Sequence, residues 1–236
     1  MKIKIIPNPR KDWAENLAKE VHSLLVSEGH EIVKNGADAT ICIGGDGTIL
    51  YANHKTMLEG PILGIGSKTS YICQLQNTSW KDGLLPLLKR NKTIPVMTLC
   101  CTLGDQQINA LNDFVVHTDD HRVIHLSVVV DNEKTTFSGD GLILSTALGT
   151  AGYAYSAGGE ILVPTERKIS IVPICAYRRT FSPQIVEENK IIEINTNRKC
   201  AFIADGIFIK HLEKNETVII KKDKDIILFQ GVGYNQ

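Results

Sequence analysis

Ala39-Thr40-Ile41-Cys42-Ile43-Gly44-Gly45-Asp46-Gly47-Thr48-Ile49-Leu50 is the stretch that decides how this chain folds. A β-branched apolar run ends in consecutive glycines, and Ile49-Leu50-Tyr51-Ala52 continues beyond them. That order reads as strand, tight loop and helix N-terminus. Such a loop can turn several backbone N–H groups toward one point, and the helix end adds a partial positive charge. Gly44, Gly45, Gly47 and Thr48 are therefore candidate phosphate-binding residues. Asp46 lies inside the loop, where a like charge beside a phosphate is costly. A carboxylate there is expected to take a proton or hold a metal rather than bind the anion. The residues alone leave a second reading open, a glycine-rich turn with Asp46 as helix N-cap.

Working outward, residues 1–95 alternate strand and helix patterns, which predicts a parallel sheet with helices on its faces. Lys2 to Ile6 is a candidate strand. Trp13, Leu17, Val21, Leu24 and Leu25 recur at helical spacing up to Gly29. Pro61-Ile62-Leu63-Gly64-Ile65 is a buried strand, and Trp80 to Leu88 a short helix. From Ile94 the texture changes to short β-rich runs separated by turn residues, interrupted by one helix near Thr150 to Ala157. The expected fold is an α/β N-terminal domain with a Rossmann-like parallel sheet, residues 1–95. An all-β sandwich-like domain, 96–230, and a loose tail, 231–236, follow.

Bulk composition excludes several classes. The 236 residues are 43% apolar and 22% charged with a formal net charge of zero, so no nucleic-acid or membrane-surface partner is expected. No apolar run approaches the ~20 residues that cross a bilayer. The six cysteines contain no C-x-x-C pair, which argues against zinc and for reduced thiols in a cytoplasmic protein. Cys42 and Cys175, in apolar runs, are expected in the core. His117, His121 and His125 are spaced by four, but their surroundings read as strands. They are expected on a hairpin without a metal, so no protein metal site is predicted. Cys100-Cys101 lies in a strand, where neighbours face opposite ways and do not pair. Arg178 and Arg179 suit either a phosphate contact or a solvated loop.

A second constellation is Gly139-Asp140-Gly141-Leu142-Ile143-Leu144-Ser145-Thr146, followed by Ala147 to Gly159. It repeats the order strand, small-residue loop, helix and glycine pair. Small residues let a backbone approach a ligand closely, or let a helix lie flat on a sheet. Tyr153 and Ser156 share a helix face. With Gly44–Thr48, Leu111-Asn112-Asp113 and Ala204-Asp205-Gly206, this segment makes the chain resemble the NAD kinase family from about Lys2 to Phe229. G-G-D-G-T is matched fully but is shared with diacylglycerol and sphingosine kinases. The second signature, G-D-G leading to S-T-P-T-G-S-T-A-Y-S-x-S-A-G-G, is specific. It is kept without a gap at Gly139, Asp140, Gly141, Ser145, Thr146, Gly149, Tyr153, Ser156, Ala157, Gly158 and Gly159.

The resemblance implies an α/β half followed by a β-sandwich half, with the site between them. It implies an ATP-dependent phosphotransferase that makes NADP from NAD with Mg2+ or another divalent cation. Asp46 would be the base toward the 2′-hydroxyl of the adenosine ribose, and Gly44, Gly45, Gly47 and Thr48 would cradle phosphates. Asn112, Asp113, Asp140, Ala151, Tyr153 and Ser156 would line the dinucleotide pocket. Asp205 would approach it from a neighbouring subunit of a homodimer or homotetramer. Alternatives are a related kinase acting on another hydroxyl (nucleoside, polyol or lipid) and a nucleotide-binding sensor without turnover. The chain departs from the family after its third strand. G-I-N-x-G-x-L-G-F-L is replaced by Gly64-Ile65-Gly66-Ser67-Lys68-Thr69-Ser70-Tyr71-Ile72-Cys73. The divergent part from Gly66 to Cys73, with Lys68 adding a positive charge, is expected to set which acceptor is used.

Overall fold

In the computed structural model, which describes residues 1–231, the chain begins with alternating strands and helices. They are β1 (Lys2–Pro7), α1 (Asp12–Ser27), β2 (Glu31–Ile32), β3 (Ala39–Ile43), α2 (Asp46–His54), β4 (Ile62–Gly66), β5 (Leu75–Gln76) and α3 (Trp80–Arg90). They belong to one compact unit, Met1–Val96 together with residues 226–231. The strands run β2–β1–β3–β4, all parallel, with Ile5 beside Ile41 and Ile41 beside Leu63. β5 adds to β4 in the same sense, and so does Leu228, which pairs with Ile62. Parallel neighbours need crossover connections, and the helical segments supply them. Every residue of β3 and β4 is buried, as expected of strands covered on both faces. In α1, Ala14, Leu17, Val21 and Leu25 form the buried stripe. Beyond its end Gly29 takes φ +81°, a left-handed conformation suited to glycine.

The remaining strands are β6 (Thr93–Leu103), β7 (Gln106–Ala110), β8 (Asp113–His117), β9 (Ile124–Val130), β10 (Glu133–Gly139) and β11 (Gly141–Thr146). A 3-10 turn (Leu148–Ala151) and the short α4 (Tyr153–Ser156) come next. β12 (Lys168–Ile174), β13 (Gln184–Glu187), β14 (Ile192–Thr196), β15 (Cys200–Ala204), β16 (Ile207–Leu212) and β17 (Thr217–Phe229) complete the chain. Met97–Asp225 is the second compact unit. One of its sheets runs β10–β9–β14–β17, with β6 beside β17 and β7 beside β6; the other runs β13–β12–β11–β8–β15–β16. All pairings of the six-stranded sheet are antiparallel.

The core of this unit takes Phe114, Val116, Leu142, Leu144 and Phe202 from the six-stranded sheet and Leu126, Val128, Ile192, Ile194 and Val218 from the other. Phe114 and Phe202 stack at 5.3 Å between ring centroids. The opposite face of the six-stranded sheet carries Val115, Ile143 and Val172, packed with Ala154 of α4. Coverage on both faces explains why β8 and β11 are apolar at consecutive positions.

Several sequence expectations are corrected here. Residues 118–123 are not a hairpin turn, because β8 pairs with β11 and β15 while β9 pairs with β10 and β14. Of the three histidines, His117 ends β8, His121 lies on the link between the two sheets, and His125 is in β9. Cys175 is exposed, at φ +49°, because β12 ends at Ile174. The runs at 217–221 and 226–229 belong to one strand, β17, whose polar middle hid its continuity. The expected helix near 150–157 is split into the 3-10 turn and α4 by Gly152. Of the expected tail, residues 232–236 lie outside the described residues.

Candidate active site

β3 delivers the chain into the glycine loop at Gly44 and Gly45, whose φ values are +144° and +97°. Side-chain-bearing residues rarely adopt these angles. A Cβ on Gly44 would also stand 2.4 Å from the Asn8 Cβ and 2.5 Å from the Thr48 Oγ1. The loop is braced by the segment after β1. Asn8 Nδ2 donates to Thr48 Oγ1 at 3.2 Å, and Lys11 Nζ donates to the Gly44 carbonyl at 2.7 Å. The Gly44 N–H is spent on Ile65 O and that of Thr48 on Gly45 O. The first-turn N–H groups of Asp46 and Gly47 have no acceptor within the helix and are free for a ligand. Gly47 has open space where a Cβ would stand.

Asp46 is not the N-cap of α2. Gly45 holds that position, and no side chain caps the helix end. Instead the Asp46 carboxylate reaches the divergent stretch. Its Oδ2 accepts the Tyr71 N–H at 2.7 Å, and its Oδ1 accepts those of Ile72 and Cys73 at 2.9 and 3.3 Å. The Cys73 thiol also hydrogen-bonds this carboxylate, so its roughly four acceptor positions are met by three amides and one weak thiol donor. The turn that presents these amides requires Gly66, where a Cβ would stand 2.2 Å from Ser70 Oγ. Burial, then the Asp46 charge, pushes the Cys73 thiol up, so it stays protonated beside the carboxylate. Lys68, at the tip of the stretch, is exposed.

In the second unit the other motifs meet at the ends of the central strands of the six-stranded sheet. β8 begins where β11 and β15 end, with Asp113 opposite Ser145 and Phe114 opposite Ala204. Asp205 sits just past β15 at φ +50°. Its Oδ2 accepts the Leu111 N–H at 2.8 Å, and its Oδ1 accepts those of Asn112 and Asp113 at 2.7 and 3.1 Å. From the other side, Thr146 Oγ1 donates to Leu111 O at 2.7 Å and Ser145 Oγ to Asn112 O at 3.1 Å. A Cβ on Gly149 would fall 2.3 Å from Asn112 O, so the motif glycine is what lets the 3-10 turn touch this backbone. Asn112 Oδ1 is buried and has no protein partner.

Asp113 is almost fully buried, and burial followed by the Asp205 charge raises its carboxyl to about 7. Burial also raises the Tyr153 phenol, with smaller effects from Cys175, Asp113 and Asp140, so Tyr153 and both carboxylates share one neighbourhood. Ser156 Oγ turns back to Gly152 O at 3.3 Å, and Ala151 is half-buried at the end of the 3-10 turn. Asn8, Lys11 and the Tyr71–Cys73 amides are site components that the sequence did not flag. Asn8 and Lys11 belong to no motif, and backbone amides carry no residue signature.

A glycine loop at a helix N-terminus in a parallel α/β unit, linked in one chain to a β-sandwich unit carrying converging polar motifs, defines a nucleotide-kinase-like architecture. A family model described as the ATP-NAD kinase C-terminal domain matches residues 111–226. An NAD kinase of Clostridium perfringens is 34% identical over 212 residues, covering 84% of this chain and 77% of that protein. One from Thermoplasma acidophilum is 30% identical over 227 residues, covering 93% of this chain and 83% of its own. The fold matches an Archaeoglobus fulgidus NAD kinase solved in complex with ATP. That match has a TM-score of 0.87 and 23% identity, over 99% of this chain and 95% of the other. It also matches yeast NADH kinase solved with NADH, with a TM-score of 0.82 and 20% identity over 100% and 84%. The chain belongs to the NAD kinase family.

Proposed function

We propose that this protein transfers the terminal phosphoryl group of ATP to the 2′-hydroxyl of the adenosine ribose of NAD, forming NADP and ADP. The observation that carries this reading is the Asp46 carboxylate, held by three backbone amides beside the glycine loop, in a family member whose phosphate loop is intact. Phosphoryl transfer asks mainly for positioning and charge neutralisation, plus a group to take the hydroxyl proton. Asp46 takes that proton as the acceptor oxygen bonds to phosphorus and ADP departs. The N–H groups at the start of α2 meet phosphate oxygens. A divalent cation such as Mg2+ enters with the triphosphate, whose oxygens it prefers, and offsets its charge.

Asn112, Asp113, Asp140, Ala151, Tyr153 and Ser156 bind the dinucleotide. The unpartnered Asn112 Oδ1 supports this, since a buried acceptor without a partner gains from a ligand donor. Asp205 acts by holding the 111–113 backbone of its own chain. The stretch 66–73 sets acceptor preference, because its amides fix Asp46. The protein works as a homodimer or homotetramer in the cytoplasm; among the described residues no helix is long and apolar enough to cross a membrane. Incubation with ATP, Mg2+ and NAD, followed by separation of NADP from NAD, tests the reading. NADP formation is expected; tight binding of NAD with no product would leave a sensor. Running NADH, nucleosides and polyols in parallel tests the role of residues 66–73.

A further inference from the structure

The segment joining β1 to α1 carries no motif, yet it reaches the phosphate loop. Lys11 is exposed and no carboxylate pairs with it among the described residues. Its Nζ is nevertheless fixed, donating to Gly44 O at 2.7 Å and lying 3.8 Å from where a Cβ on Gly45 would stand. The Trp13 ring lies beside it, 5.7 Å from ring centroid to Nζ. An ammonium has three donors, and one is used on Gly44 O. Asp46 turns its carboxylate away to the amides of 71–73, so the loop presents N–H groups and this one ammonium. A cation held beside the loop lowers the repulsion between the loop's own carboxylate and a triphosphate. A lysine tethered to the loop carbonyl supplies that charge at a fixed position.

We propose that Lys11 is a phosphate-binding residue of the Gly44–Thr48 loop, placing two free N–H donors against the phosphate oxygens of a nucleoside triphosphate. The proposal rests on the kinase reading for the identity of that ligand but not for its phosphate chemistry. The test uses the full-length protein as wild type, Lys11→Met and Lys11→Arg. Calorimetry gives the Kd for ATP and for inorganic tripolyphosphate, Trp13 emission is followed in the same titrations, and steady-state KM values are taken for ATP and NAD. Losing one charge-assisted contact weakens binding by about 10- to 100-fold. Lys11→Met is expected to raise the Kd of both ligands by that factor and to leave the KM for NAD unchanged. Lys11→Arg, which keeps the charge, should recover part of the loss. A shift in Trp13 emission with tripolyphosphate in the wild type, absent in Lys11→Met, supports the same placement. Unchanged Kd values in Lys11→Met, or a loss confined to NAD, would overturn the proposal. If the wild type makes no NADP while Lys11→Met still weakens tripolyphosphate binding, the kinase reading fails and the Lys11 site stands.

Discussion

The carboxylate of Asp205 accepts the backbone N–H of Asn112 at 2.7 Å, across 93 residues of sequence. The same carboxylate takes the amides of Leu111 and Asp113. One side chain thus sets the backbone that presents two candidate acceptor-binding residues. Asp205→Ala removes three charge-assisted bonds and leaves an alanine at φ +50°. The expected loss is roughly 2–4 kcal/mol of stability. Asp205→Asn should cost less, since asparagine tolerates that backbone and keeps one acceptor oxygen. Denaturant unfolding of the two variants, with the KM for the dinucleotide, checks the order; equal stability of both with wild type would remove Asp205 as a clamp.

Asn112→Ala should separate binding from folding. The side-chain oxygen has no protein partner, so its loss should barely change the melting temperature while raising the dinucleotide KM more than it lowers kcat. A large fall in kcat at constant KM would assign Asn112 to the chemical step instead.

Two glycine substitutions should behave oppositely. In Gly149→Ala the new methyl meets Asn112 O at 2.3 Å, a backbone atom that cannot yield, and a loss of about 2 kcal/mol or more is expected. Gly47→Ala has open space, so the fold should survive while the KM for ATP rises, because the methyl stands where phosphate approaches. Thermal melts of both variants decide; a Gly149→Ala protein as stable as wild type would mean the 3-10 turn can shift.

Asp46→Asn should lower turnover at least ~100-fold, the usual range for loss of a general base. The amide NH2 would also face the N–H of Tyr71, so a drop of about 1–3 kcal/mol should accompany it. Single-turnover rates and melts measured together tell the effects apart. Near-normal turnover would exclude Asp46 as the base.

The raised Asp113 carboxyl makes stability depend on pH. Its folded value of about 7 lies above the ordinary 3.8, so the stability tied to its protonated form is full below about pH 4 and declines as pH rises through about 7. Asp113→Asn cannot ionise, so its stability relative to wild type should improve between about pH 5 and pH 8. In Asp205→Asn the neighbouring charge is gone and the wild-type decline should move to lower pH. A stability gap between Asp113→Asn and wild type that stays constant over this range would show that Asp113 does not titrate there.

Much of this protein was legible in its residues because the signals were local. The run Ala39–Ile43 followed by Gly44 and Gly45 read as a strand ending in a tight loop, and the helical spacing of Trp13, Leu17, Val21, Leu24 and Leu25 marked a helix, of which Leu17, Val21 and Leu25 are fully or nearly buried. The β-rich texture after Ile94 followed from short β-rich runs separated by turn residues. What sequence could not say was which distant groups share one hydrogen-bonding site. The sequence left open whether Asp46 capped its own helix, and only the return of the chain from β4 put the amides of 71–73 within 3.3 Å of it. Asp205 and Asn112 meet because β8 and β15 are antiparallel neighbours, and Cys175 is exposed because β12 stops one residue before it. Propensity and spacing act over a few residues, whereas a carboxylate chooses its partners among every N–H the fold brings near. That choice is made by strand pairing, which a single chain read in order does not display.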